Sequence, residues 1–124
     1  MSEEIQTAYR NLQVWQKSMN LASEIIKITG DLNTDRKHFR LIEQLESAAD
    51  SIPLNIAEGK GRESKKEFMH FLYIARGSIY ETLTLLELFL RQGWISQETF
   101  SKLEYDSIEI IRMLKGLINA VAQN

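Results

Sequence analysis

The stretch of sequence that decides the fold reads Ser51-Ile52-Pro53-Leu54-Asn55-Ile56-Ala57-Glu58-Gly59-Lys60-Gly61-Arg62-Glu63-Ser64. Gly59 and Gly61 can each supply the left-handed residue that follows the end of a helix. Ser64 and Glu67 have the spacing of a capping box, which begins a helix. Pro53 lacks the amide hydrogen of a helical turn, so we expect it to kink the first of these helices. The stretch therefore predicts two helices joined by a short turn.

The rest of the chain repeats this combination of apolar periodicity and glycine punctuation. Gly30 and Gly93 follow two further periodic segments, and each is expected to be left-handed there. Apolar residues recur every three to four positions, which predicts helices over about residues 9–30, 35–58, 65–92 and 97–121. Four amphipathic helices with short connections predict an all-α, antiparallel up-down four-helix bundle. We expect one domain over residues 1–124, with residues 1–8 as a loose N-terminal segment.

The composition excludes several classes of protein. The 124 residues include no Cys, which excludes disulfides, a thiolate zinc site and a cysteine nucleophile. The formal net charge of −2 excludes a basic coat for nucleic acid. The chain starts with acidic residues and lacks the apolar core of a signal peptide. No apolar stretch approaches the roughly 20 residues of a membrane span, so we expect a cytoplasmic protein with no membrane partner.

The sequence shows no catalytic or metal-binding pattern. A di-iron site in a four-helix bundle uses two Glu-x-x-His pairs, and the pair of Glu67 and His70 is the only one in the chain. Both residues point away from the predicted core. Asp35 and His38 have the same spacing, but they lie at the start of a predicted helix. We therefore expect no metal, no other cofactor and no enzymatic activity.

Two of the predicted helices carry more apolar surface than one core can use. The first and third helices each have a second apolar stripe, and an exposed apolar patch is a common mark of an interface. Gly77 and Gly116 lie inside helices, where Gly costs about 1 kcal/mol relative to Ala, and close approach of another backbone would offset that cost. The alternative is that both glycines lie at tolerant surface positions. The residues predicted to form an interface between copies of the chain are Trp15, Met69, Tyr73, Gly77 and Tyr80.

A row of polar residues follows one side of the second predicted helix, beside its apolar stripe. It consists of Gln44, Ser51, Asn55 and Glu58. Arg76 and Glu81 on the third helix are natural partners for this row. Because a partly buried polar network needs every member satisfied, we interpret the row as a structural network that aligns the helices. A catalytic site is the alternative.

Positive charge is concentrated between the second and third helices. Residues 60–66 contain four cations and one acid, whereas the rest of the chain contains 11 cations and 16 acids. The cations lie at the start of the third helix, where free amides and the helix dipole favour anions. A solvated surface is the alternative, because Glu63 and Glu67 are interleaved. The residues predicted to bind an anion or nucleic acid are Lys60, Arg62, Lys65 and Lys66, with Arg76.

Several runs together show a family resemblance that covers about residues 9–119. They include Leu12-Gln13-Val14-Trp15-Gln16-Lys17-Ser18-Met19, Ser51-Ile52-Pro53, Asn55-Ile56-Ala57-Glu58-Gly59 and Ile74-Ala75-Arg76-Gly77-Ser78. The Asn-Ile-Ala-Glu-Gly and Ala-Arg-Gly-Ser runs, at their relative spacing, make the resemblance specific. With them the chain resembles the bacterial four-helix-bundle family named for 23S ribosomal RNA intervening-sequence proteins. That family also includes the accessory variability determinants of diversity-generating retroelements.

The resemblance implies an up-down bundle that assembles as a ring-like homopentamer. No enzymatic activity is established for the family. Its retroelement members are basic, bind nucleic acid and partner a reverse transcriptase. The sequence therefore predicts a non-catalytic oligomeric adaptor that binds RNA, DNA or a protein that processes nucleic acid. The alternative is a scaffold that binds only proteins.

The chain departs from the family pattern in the second helix. Family members tend to carry one or two Arg after the Gln at position 44, whereas this chain has Glu46 and Ser47 there. The sequence pI of about 5.7 also differs from that of the basic members. Because phosphate contacts dominate the affinity of a protein for nucleic acid, these departures predict weaker and more salt-sensitive binding.

Overall fold

The computed structural model describes residues 7–123 of the chain. Within them, a 3-10 turn at Ala8–Asn11 precedes four helices, which are α1 (Gln13–Gly30), α2 (Phe39–Lys60), α3 (Lys65–Arg91) and α4 (Gln97–Gln123). Each helix packs against the next along the chain, and α1 also packs against α4. This confirms the all-α four-helix bundle. Residues 1–6, which belong to the predicted loose segment, lie outside the described residues.

The helices run antiparallel, as contacts between neighbours show. Ser51 on α2 contacts Ser78 on α3, and Gly59 at the end of α2 lies against Phe71 near the start of α3. The fully buried side chains come from all four helices and from both ends of the bundle. They are Leu21, Ile25, Leu45, Ile52, Ile56, Leu72, Ile79, Leu86, Phe89, Leu103, Ile110 and Leu114. One apolar core therefore holds the four helices together.

The predicted start of the second helix is wrong by four residues. Asp35, Arg36 and His38 have φ angles of 56°, 60° and 65°, which are incompatible with a right-handed helix. The His38 ring lies 5.0 Å from the Trp94 ring, so this loop rests on the turn between α3 and α4. α2 therefore begins at Phe39.

The glycines between helices play different roles from those expected. Gly93 has a φ of +77°, so the left-handed turn predicted after α3 is confirmed. Gly61 has a φ of −78°, and Gly30 is the last residue of α1, so neither is left-handed. Gly59 is buried inside α2, where an added Cβ would lie 2.8 Å from the Cβ of Phe71. Gly59 thus permits close packing of α2 on α3 rather than ending α2.

The cap at Ser64 is confirmed, but only half of the predicted capping box forms, because Glu67 meets the Ser64 hydroxyl and not the Ser64 backbone amide. The Glu67 amide donates to Ser64 Oγ over 3.0 Å, and that hydroxyl donates to Glu67 Oε1 over 3.2 Å. α2 continues through the buried Pro53 to Lys60, two residues beyond its predicted end. Together these features leave a short loop over residues 61–64, which carries Arg62. Lys60 lies at the end of α2, and Lys65 and Lys66 lie at the start of α3.

Candidate interaction surfaces

The polar contacts between α2 and α3 form a smaller cluster than the predicted network. Ser51 Oγ and Ser78 Oγ lie 2.8 Å apart, and Asn55 Nδ2 donates to Ser51 Oγ over 2.8 Å. Gln44 and Glu81 are exposed, and their side chains make no hydrogen bond or ion pair within residues 7–123. The hydrogen-bonded cluster therefore contains Ser51 and Asn55, as predicted, and also Ser78. The predicted members Gln44, Glu58 and Glu81 lie outside it.

Ser78 could have been found in the sequence. Ser78 belongs to the Ala-Arg-Gly-Ser run, and it lies one residue before the core position Ile79. Its hydroxyl also lies within hydrogen-bond distance of the Ile74 carbonyl, at 3.1 Å. The cluster is held by hydrogen bonds within the chain, so it aligns α2 with α3.

Arg62 is held inside its own loop. Its guanidinium lies 2.6 Å from Glu58 Oε1 and 3.9 Å from Glu67 Oε2, and it stacks 4.9 Å from the centroid of the Phe71 ring. Glu58, which was predicted to join the polar row, is therefore an ion-pair partner of Arg62. The charge of Arg62 is balanced by two carboxylates, which reduces what it can offer to a phosphate.

Three lysines, Lys60, Lys65 and Lys66, carry the other positive charges beside this loop. Lys60 lies with its ammonium 5.7 Å from the centroid of the Phe68 ring, and Lys65 Nζ lies 3.5 Å from the Ala122 carbonyl at the end of α4. Lys66 is exposed. Arg76 is ten residues further along α3, about 15 Å from Lys66 at 1.5 Å per residue. Arg76 therefore stands apart from the loop, and its guanidinium stacks 4.9 Å from the centroid of the Tyr73 ring.

The residues predicted to form an interface differ in exposure. Trp15 and Met69 are half-buried and pack against the core. Tyr73 and Tyr80 are 44% and 53% exposed, and Gly77 between them is also exposed. A Cβ added at Gly77 would meet no atom of its own chain within 4 Å. We call Tyr73, Gly77 and Tyr80 the α3 ridge, because they follow one another along the outer side of α3.

An apolar groove lies between α1 and α2, where the second apolar stripe predicted for the first helix forms one wall. Sequence reasoning missed the other wall, on α2. The open volume of the groove is about 820 Å³. On α1 it exposes Met19 by 44% and Ile26 by 47%, and on α2 it exposes Leu54 by 67%. The other residues that line it are Tyr9, Trp15, Ala22, Ser23, Asp50, Pro53, Ala57 and Glu58. The available signal was Leu54, an apolar residue outside the predicted core stripe of α2. We call this surface the α1–α2 groove.

Two carboxylates line the α1–α2 groove, and only Glu58 has a partner among the described residues, which is Arg62. Asp50 is half-buried, and its carboxylate makes no hydrogen bond or ion pair within residues 7–123. Burial raises the pKa of this carboxyl above its ordinary value, and the nearby Glu46 raises it further. Glu46 itself accepts a hydrogen bond from the Thr29 hydroxyl. The groove is therefore apolar along its length and negative at Asp50.

The seam between α1 and α4 is closed by ion pairs. Lys17 Nζ lies 2.5 Å from Glu109 Oε1, and Lys102 Nζ lies 2.8 Å from Glu24 and 3.2 Å from Asp106. The hydrogen bond to Glu109 raises the pKa of Lys17, and those to Glu24 and Asp106 raise that of Lys102. These charges line a cleft of about 220 Å³. Because the charges satisfy one another, the seam leaves none of them free for a ligand.

Residues 7–123 contain no group of three or more His, Cys, Asp or Glu side chains placed to hold a metal ion. None of the described helices is long and apolar enough to cross a membrane.

The fold and these surfaces define a small helical protein of the four-helix-bundle class. Within that class, the chain belongs to the family of 23S rRNA-intervening sequence proteins, whose family model matches residues 10–116. The family resemblance seen in the sequence is thereby confirmed, while the relation to the accessory determinants of retroelements stays a prediction. None of the curated proteins compared with the chain matches it.

The chain is similar to a crystallised protein from Bacteroides thetaiotaomicron. That protein is described as one of unknown function from the S23 ribosomal protein family, and it is 31% identical to this chain. The match covers 86% of this chain and 95% of the other, with a TM-score of 0.80. The comparison therefore supports the family and the fold. The function of that protein is unknown, so the comparison does not point to any catalytic activity.

Proposed function

We propose that this chain is the subunit of a non-catalytic homo-oligomer that acts as an adaptor for nucleic acid. The observation that carries the proposal is the presence of two separate apolar surfaces, the α1–α2 groove and the α3 ridge, on a bundle whose core is already complete. Exposed apolar patches of this kind mark interfaces. The family resemblance implies five copies in a ring.

The surface that binds nucleic acid in this proposal is the α2–α3 loop together with the lysines on either side of it, which are Lys60, Lys65 and Lys66. A single loop with so few cations binds phosphate weakly, because it makes few phosphate contacts and so releases few counterions in total. An oligomer presents one such loop per copy, so several weak contacts act together through their high effective concentration. Oligomerisation is therefore what makes binding by this acidic chain effective.

The binding test compares two double variants by fluorescence anisotropy with a labelled RNA hairpin. Lys60→Glu combined with Lys66→Glu is expected to weaken binding and to lower the slope of log affinity against log salt by about 1 per lysine. The control combines Lys27→Glu with Lys115→Glu, which makes the same charge change on exposed positions of α1 and α4. Equal binding by the two variants would contradict the proposed loop, provided that both remain oligomeric.

A scaffold that binds only proteins is the second candidate. It is favoured by the pairing of Arg62 with Glu58 and Glu67, which lowers the positive charge of the loop. The resemblance to retroelement members implies a reverse transcriptase as one such partner. Wild-type protein that is oligomeric yet shows no RNA binding at low salt would support this candidate and exclude the adaptor for nucleic acid.

A further inference from the structure

Two surfaces of this chain have complementary shape and charge. The α1–α2 groove is concave and apolar, with the unpaired carboxylate of Asp50 on its wall. The α3 ridge is convex and aromatic, with the guanidinium of Arg76 stacked on Tyr73. Arg76 makes no ion pair within the described residues. We propose that the groove of one copy receives the ridge of the next, with Asp50 facing Arg76 across the interface.

The dimensions of the two surfaces agree. Tyr73 and Tyr80 are seven residues apart on α3, about 10 Å at 1.5 Å per residue. The α1 side of the groove runs from Trp15 to Ile26, about 16 Å by the same rise. The two tyrosines therefore fit within the length of the groove, and Gly77 leaves a gap between them that can receive the protruding Leu54.

Charge decides which surfaces meet. In a two-fold dimer the same patch lies on both partners. Packing of the α3 ridge of one copy on the α3 ridge of another would therefore bring their two Arg76 side chains together. Groove on groove would bring Asp50 towards Asp50, with Glu46 beside each. Groove on ridge instead brings opposite charges together, although the exposed Glu81 on α3 reduces the positive charge near the ridge. Opposite charges across an interface select the partner and its orientation.

The direction of docking determines the form of the assembly. Because the groove and the ridge are different surfaces, each copy keeps one free surface after docking and binds a further copy. Such heterologous contacts close into a ring when the rotation between copies allows it. This inference rests on the homo-oligomer proposed above and adds which surfaces form its interface.

The test is native mass spectrometry of full-length charge-swap variants. Asp50→Arg alone and Arg76→Asp alone are each expected to lose the oligomer. The double variant, with both changes in one chain, is expected to regain it. Control reversals at exposed sites, Asp31→Arg and Arg112→Asp, should leave assembly unchanged. Circular dichroism reports whether each variant folds, and the double variant tests the pairing even where a single variant unfolds.

Mixing the two single variants gives a second readout. Each attractive contact then joins one variant to the other, so the copies alternate and a closed ring holds an even number. A ring with an odd number of wild-type copies cannot alternate, and the mixture should give even-numbered or open species instead.

The outcomes separate the inference from the proposed function. A monomeric wild type overturns both. An oligomeric wild type whose single variants assemble normally, or whose double variant does not reassemble, overturns the groove-to-ridge contact and leaves the homo-oligomer standing.

Discussion

The two clefts that flank α1 differ in almost every respect. The cleft towards α4 is small, and Lys17 and Lys102 pair there with carboxylates of the same chain. The α1–α2 groove is nearly four times as large in open volume, about 820 Å³ against 220 Å³. It is apolar, and its one half-buried carboxylate, Asp50, makes no hydrogen bond or ion pair within residues 7–123. The difference shows that α1 pairs its polar side chains within the chain on one side and exposes apolar side chains on the other.

The largest expected effect is on assembly of the oligomer and concerns the α3 ridge, which we propose docks in the α1–α2 groove of another copy. Gly77→Leu fills the gap between Tyr73 and Tyr80, so we expect it to abolish assembly while changing the melting temperature of the chain little. Gly116→Leu is the matched control, since it is an exposed helical glycine with equally open surroundings. Size-exclusion chromatography with light scattering measures assembly. Loss of the oligomer in both variants, or in neither, would remove Gly77 from the interface.

The next effect concerns packing inside the chain, where no open surface remains. Gly59→Ala places a Cβ 2.8 Å from the Cβ of Phe71. Overpacking of this kind costs more than the helix propensity that Ala gains, so we expect a net loss of about 1–2 kcal/mol in the free energy of unfolding. Urea denaturation measures it. Gly61→Ala is the control, because its nearest contact is an ordinary 3.6 Å.

A smaller effect is expected at the α1–α4 seam. Lys102→Ala removes exposed ion pairs to Glu24 and Asp106, which costs about 0.5 kcal/mol at low salt and less at high salt. The pKa of Lys102 is raised in the folded chain. Its stabilisation is therefore fully present below the ordinary lysine pKa and is lost as the pH rises through the raised value. A loss of assembly in this variant would contradict the view that the seam serves only its own chain.

The smallest expected effect is on the stability of the isolated subunit and concerns Asp50. The measurement is made in the Gly77→Leu variant, which we expect to be monomeric. Burial raises the pKa of this carboxyl, so ionisation destabilises the fold as the pH rises past the ordinary carboxyl value. Asp50→Asn removes that penalty and should stabilise the subunit near neutrality by no more than about 0.5 kcal/mol. Below the ordinary carboxyl pKa the difference should vanish. Thermal melts at the two pH values measure it, and a variant less stable near neutrality would contradict the raised pKa.

Local signals were readable from the sequence, whereas contacts between helices were not. The cap at Ser64 and the left-handed Gly93 depend on a few neighbouring residues, and both were predicted. The role of Gly59 depends on how closely α3 approaches α2, which no local pattern contains. The start of α2 was misplaced because Asp35, Arg36 and His38 adopt left-handed conformations, which helical periodicity does not predict.

The candidate surfaces show the same limit. Helical periodicity identified the outward tyrosines of α3, since it reports which side of a helix a residue occupies. Periodicity does not report how far apart two helices lie. It identified the second apolar stripe of α1, but it missed the exposure of Leu54 and the groove that the two border together. The charge of Arg62 was overestimated for a related reason, because its pairing with Glu58 and Glu67 depends on the shape of the loop.

The central claim is tested most directly by cross-linking single cysteines, which the cysteine-free sequence allows without interference. Leu54→Cys and Gly77→Cys are made in separate chains, mixed and oxidised under mild conditions. A disulfide forms only when the two Cα atoms approach within about 7 Å. A disulfide is expected in the mixture between one Leu54→Cys chain and one Gly77→Cys chain, and none is expected within either variant alone. Equal cross-linking within a single variant, or none in an oligomeric mixture, would contradict docking of the ridge into the groove.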